Sequence, residues 1–95
     1  MALARVVTFE GVTRDRIDEM KREMDEGGGP PEGVPATEII VLHDADAVKS
    51  IAILFFESEA DYARGDEALN AMPAEETPGR RTSVAKYEVA SRMTA

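Results

Sequence analysis

Ser50-Ile-Ala-Ile-Leu-Phe-Phe56 is the stretch that decides the fold. Successive side chains of an extended chain point to opposite faces, so Ile51, Ile53 and Phe55 share one side while Ala52, Leu54 and Phe56 share the other. Both sides are apolar. A run this short, β-branched and aromatic and bounded by polar residues, reads as a strand buried on both faces rather than as a helix. The preceding Thr37 to His43, with Ile39, Ile40, Val41 and Leu42, has the same character. A polar turn around Asp44 and Asp46 joins the two segments into a hairpin.

Outward from that hairpin, Leu3 to Phe9 forms a first strand that Gly11 interrupts. Thr13 is a good N-cap and Asp15 sits in the first turn, where the helix dipole favours an anion. Ile17, Met20 and Met24 recur on one helical face, so a helix is expected from Arg14 to Asp25. Residues 27–35, rich in glycine and proline, form a loop. On the other side, Ser58 with Asp61 approaches a capping box and opens a second helix that carries Tyr62, Leu69 and Met72. Gly65 inside that helix costs about 1 kcal/mol relative to alanine. Pro73 and the stretch from Glu75 to Gly79 end the helix, Thr82 to Val89 makes a fourth strand, and residues 90–95 are a polar tail.

The order β-α-β-β-α-β is an α+β, ferredoxin-like arrangement in one domain spanning residues 1–95, a four-stranded antiparallel sheet with both helices on one face. Two helices cover one side of such a sheet. The second side of the central hairpin is also apolar, and at roughly 25 cal/mol per Å² of apolar surface, leaving it wet would forgo several kcal/mol. A second copy packed sheet to sheet about a two-fold axis is the economical partner, so a homodimer is expected.

Composition narrows the functional classes. The chain has 95 residues, 43% hydrophobic and 32% charged, a balance that fits one globular domain with a modest core. Its 11 basic against 19 acidic side chains give a net charge of −8, which disfavours nucleic acid and anionic membrane surfaces as partners. The basic residues gather late, with Arg80, Arg81, Lys86 and Arg92 against Glu88. Arg80 and Arg81 can hold an anion or offset the acidic surface. The absence of cysteine excludes disulfides, zinc-thiolate and iron–sulfur sites and thiol catalysis. The N-terminal Met-Ala-Leu-Ala-Arg-Val-Val lacks the layout of a signal peptide, and no stretch approaches the roughly 20 apolar residues that span a bilayer. A cytoplasmic chain, without cofactor or metal, is the resulting expectation.

The element order, the two-sided strands and the segments Ser50-Ile-Ala-Ile-Leu-Phe-Phe-Glu-Ser-Glu-Ala-Asp-Tyr62 and Arg81-Thr-Ser-Val-Ala-Lys-Tyr-Glu-Val89 resemble the dimeric α/β-barrel superfamily, which includes antibiotic biosynthesis monooxygenase-like domains. The resemblance spans Ala4 to Val89. It implies a homodimer whose sheets form a barrel, with a ligand cavity between each subunit's sheet and its helices. The family's oxygenases and haem degraders use pocket Trp and Asn, and the haem degraders add a helical His. This chain has no Trp, its one Asn is Asn70, and its one His is His43 at the second strand, so haem degradation does not carry over.

Few side chains suggest chemistry. His43 beside Asp44 and Asp46 reads as a general base, a metal ligand or a strand-end residue next to a solvated turn, and strand alternation separates His43 from Asp44. Tyr87 and Tyr62 can present phenols to a ligand or pack with their hydroxyls at a rim. Arg5, in phase with Leu3, Val7 and Phe9, needs an acidic partner or an anionic ligand if it points inward. Met20, Met24 and Met72 read as core or as the wall of an adaptable pocket. Gly27-Gly28-Gly29 lacks the setting of a phosphate loop and reads as a flexible connection or a lid.

The expected function is that of a homodimeric small-ligand binding or accessory domain, its ligand a small hydrophobic or aromatic molecule met by Arg5, Tyr62 and Tyr87. Two alternatives stand beside it. One is a cofactor-independent oxygenase or isomerase of an aromatic or quinone-like molecule, with Tyr87, His43 and Arg5 as polar contacts and His43 and Tyr87 as candidate catalytic groups. The other is a structural dimerisation unit with a filled core. A cavity of about 300 Å³ or more separates the first two from the third.

Overall fold

The computed structural model describes residues 2–27, 30–73 and 77–94. Six elements follow one another: β1 (Leu3–Glu10), α1 (Arg14–Asp25), β2 (Glu38–Asp44), β3 (Lys49–Phe56), α2 (Glu59–Asn70) and β4 (Arg80–Glu88). The strands form one antiparallel sheet in the order β2-β3-β1-β4, so the fold is the ferredoxin-like α+β arrangement expected from the sequence. Gly28 and Gly29 of the glycine run, and Glu75 in the stretch after α2, lie outside the described residues.

Local chemistry fixes the ends. Thr13 Oγ1 accepts from the Arg16 amide at 3.2 Å and Ser58 Oγ from the Asp61 amide at 3.1 Å, so each helix begins on the hydroxyl that its sequence supplies. Between β2 and β3, Asp44 Oδ1 accepts from the amides of Asp46 and Ala47, an Asx turn. β4 starts two residues before the expected Thr82, because Arg80 and Arg81 still pair with Glu10 and Phe9 across a register shift at Thr8/Phe9. Arg80 also donates to Glu10 Oε2 at 3.0 Å, which favours extending the edge strand.

That hairpin carries one strained residue. Val48 has φ 54°, in the left-handed region where a β-branched side chain is costly. Glycine relieves about 1–2 kcal/mol of that strain against an entropy cost of about 0.5–1 kcal/mol, so Val48→Gly should stabilise the domain by up to about 1 kcal/mol. The check is a rise in the urea midpoint at constant slope, and an unchanged or lower midpoint contradicts it.

Register assigns every strand residue to a face. Leu3, Arg5, Val7 and Phe9 of β1 lie opposite Phe56, Leu54, Ala52 and Ser50 of β3, on the side that the helices cover. Leu3, Leu54, Phe56 and Tyr62 form one buried cluster with Val34, and Val7, Phe9 and Val12 form another, against which Ile17 packs. The tightest seat is at α2. The Phe56 ring lies so close beneath Gly65 that a Cβ there would stand 2.5 Å from it, and Tyr62 meets that ring edge-on at a centroid separation of 5.5 Å. Gly65, costly to a helix on its own, is what lets α2 lie close to the sheet.

The far side of the sheet carries Val6, Ile40, Leu42, Ile51, Ile53, Phe55, Ala85 and Tyr87. Leu42 is 52% exposed and Tyr87 57%. At one corner the Arg92 guanidinium stacks 4.3 Å from the Phe55 ring centroid and pairs with Glu38 at 3.1 Å. The rest of that apolar face is uncovered by any element of the chain among the described residues.

Candidate functional site

The two helices treat the sheet differently. α2 buries Tyr62 and Gly65, whereas α1 buries no residue at all despite its apolar stripe. α1 therefore stands off the sheet, and the space beneath it is a partly open cavity of about 540 Å³. Its floor is Val7, Phe9, Val41, Ala52 and Leu54 from the three strands β1, β2 and β3. Met20 and Met24 of α1, Leu69 of α2 and the following Met72 form its walls, and Pro30 and Pro31 of the long loop stand at its side. All three methionines singled out in the sequence thus line one space, where unbranched thioethers adapt to irregular shapes.

Arg5 is the polar group set deepest in this apolar surround, 2% exposed on the central strand β1. Nε donates to Asp66 Oδ1 at 2.9 Å and Nη2 donates to Asn70 Oδ1 at 3.1 Å, one helical turn further along α2. The same Asn70 oxygen accepts from Arg81 Nη1 at 2.7 Å, and Asn70 Nδ2 donates to Asp66 Oδ2 at 3.3 Å. Asp66 and Asn70 were not singled out in the sequence. Their spacing of four on α2, facing an inward-phased arginine, is the signal that identifies them.

His43 occupies a neighbouring position on the same side of the sheet. It lines a second cavity of about 240 Å³ beneath α1, which shares Met20, Met24 and Val41 with the first. Its Nδ1 lies 2.8 Å from Oγ of the buried Ser50, while Nε2 is buried with no hydrogen-bond partner among the described residues. Asp44 lies on the opposite face and caps the turn, so the two side chains diverge as strand alternation requires. Among the described residues no cluster of three or more His, Asp or Glu side chains is arranged to hold a metal ion.

The tyrosines sit elsewhere. Tyr62 packs on Phe56, with Lys86 Nζ 4.9 Å from its ring centroid and itself 2.6 Å from Glu59 Oε2. Burial, followed by the charge of Asp66, raises the Tyr62 phenol above its ordinary pKa. It does not line the large cavity. Tyr87, opposite Ala4, projects from the uncovered face. Of Arg5, Tyr62, Tyr87 and His43, the structure places only Arg5 in the wall of the larger cavity.

No helix of the described residues is long and apolar enough to cross a membrane. Comparison with protein-family models, with curated proteins and with solved structures finds no match to this chain.

Proposed function

We propose that this domain binds a small, predominantly apolar molecule in the cavity between its sheet and α1, and that it does so as a homodimer joined through the uncovered sheet face. The observation that carries the reading is a space of about 540 Å³, within the usual 300–1,000 Å³ of ligand pockets, with apolar walls and a buried arginine. A structural unit with its core filled by Met and Phe side chains is disfavoured by that volume. An oxygenase or isomerase using Arg5, His43 and Tyr87 together is also disfavoured, since Tyr87 lies on the far side of the sheet from the other two. The dimer rests on Ile40, Leu42, Ile53 and Tyr87, an apolar set on one open face.

Native mass spectrometry of the protein purified from its own host tests both parts together. Twice the chain mass plus a reproducible small adduct is the expected spectrum, whereas a monomer removes the dimer. Ala52→Phe tests the cavity independently, because it places a ring in the floor between Val7 and Val41. Binding of an apolar fluorescent dye should fall at least tenfold in the A52F protein while its circular dichroism is unchanged. Undiminished binding would place the ligand elsewhere.

A further inference from the structure

The guanidinium of Arg5 has one edge paired, and its end has no partner among the described residues. Arginine carries five N–H donors in a fixed fork. Nε and one N–H of Nη2, which share the side edge, are spent on Asp66 and Asn70. Among the described residues nothing accepts from Nη1. Arg5 is among the residues that line the large cavity.

The hydrogen-bonded cluster around Arg5 carries more positive than negative charge, while Arg16, Glu23 and Glu38 stand elsewhere in the cavity lining. Two guanidinium groups, Arg5 and Arg81, converge on the single neutral oxygen of Asn70, and Asp66 supplies the one carboxylate in the cluster. Asp66 is itself committed, with Oδ1 to Arg5 and Oδ2 to Asn70. Within that cluster one positive charge is left over, in a protein whose net charge is −8. Long-range attraction cannot account for anion recognition in such a chain, so it must be local. Two parallel N–H groups at the end of a guanidinium match the two oxygens of a carboxylate in a bidentate pair, and a carboxylate is the less costly anion to bring into so apolar a surround than a doubly charged phosphate.

We infer that the ligand is an apolar organic acid, its hydrocarbon body against Phe9, Leu54, Met20 and Leu69 and its carboxylate on the open end of the Arg5 fork. This rests on the ligand-binding reading above and specifies the chemistry of the ligand's head. Asp66 and Asn70 then act as positioning residues that fix the plane of the guanidinium, and Arg81 supplies the uncompensated charge.

Calorimetric titration with matched acids and alcohols tests it, using decanoate against decan-1-ol and naphthalene-2-carboxylate against naphthalene-2-methanol. The expected result is at least tenfold tighter binding of the acid in the pair whose body fits. Arg5→Gln combined with Asp66→Asn keeps a neutral hydrogen-bonded pair and should abolish that preference, lowering the acid's affinity at least tenfold more than the alcohol's. Arg81→Gln, an exposed substitution that leaves the core intact, should reduce the preference at least threefold and decides the matter if the double variant fails to fold. Equal affinity of acid and alcohol, or a preference that survives in the folded variants, overturns the inference and leaves the cavity a neutral apolar site. Failure of all four compounds to bind the unaltered protein overturns the ligand-binding reading as well.

Discussion

Replacing Phe56 by alanine should lower stability by about 3–5 kcal/mol, a large share of the roughly 5–15 kcal/mol available to a small domain. The ring is fully buried, at the centre of the cluster formed with Leu3, Leu54 and Tyr62. Gly65 above it leaves no side chain to collapse into the void. The complementary change, Gly65→Ala, sets a Cβ 2.5 and 2.7 Å from two ring carbons. Overpacking of this kind costs about 1–3 kcal/mol and exceeds the gain of about 1 kcal/mol from replacing a helical glycine. Because the two residues meet, Phe56→Leu should recover part of the loss in the Gly65→Ala background, so that the double variant is more stable than the two singles would give by addition. Urea denaturation of the four proteins measures this. A Gly65→Ala protein as stable as the parent would mean that α2 lies further from the sheet.

Glutamate at the adjacent positions Ile53 and Leu54 should have opposite consequences. Leu54 is buried beneath the helices in the cluster with Leu3, Phe56 and Tyr62, so glutamate there loses that packing and costs several kcal/mol of desolvation, which pairing with Arg5 opposite offsets only in part. Ile53 lies on the other side, between Val6 of β1 and Ile40 of β2. Ile53→Glu should leave the secondary structure in place and convert the proposed dimer to a monomer, because two copies would bring their carboxylates together at a dry symmetric interface. Sedimentation velocity with circular dichroism separates the cases. An Ile53→Glu protein that remains a dimer of unchanged affinity would exclude this face as the interface.

Much of the framework was legible because it depends on neighbours in sequence. Thr13 and Ser58 begin their helices, α1 ends at Asp25, and the strand alternation that sets His43 apart from Asp44 is a local property of extended backbone. Arg5 was legible as an inward residue because Leu3, Val7 and Phe9 fix its phase. The phase of β4 was not, since Val84 lies on the helix side while Ala85 and Tyr87 lie on the other, and apolarity on both sides hides which is which. The sequence likewise leaves Ile53 and Leu54 equivalent, and only pairing with Val6 and Arg5 tells them apart. The cavity was legible least of all. Ile17, Met20 and Met24 mark an apolar stripe, but a stripe does not say how far the helix stands from what it faces. That distance is set across the sheet, by Gly65 drawing α2 close while no comparable small residue on α1 does so.

α1 also differs from the rest of the molecule in what would be lost if it opened. None of its residues is buried, and its main apolar contact is Ile17 on the cluster of Val7, Phe9 and Val12, so opening it uncovers one end of the sheet and leaves the cluster around Phe56 in place. Regions of that kind have opening free energies far below that of the whole protein, and their amide hydrogens exchange first. The sheet with α2 is therefore expected to be the last part of the domain to open, with hydrogen exchange as the check. An occupant beneath α1 would add its own binding free energy to the layer that has least of its own, joining that helix to the folding unit and making its protection a function of ligand concentration.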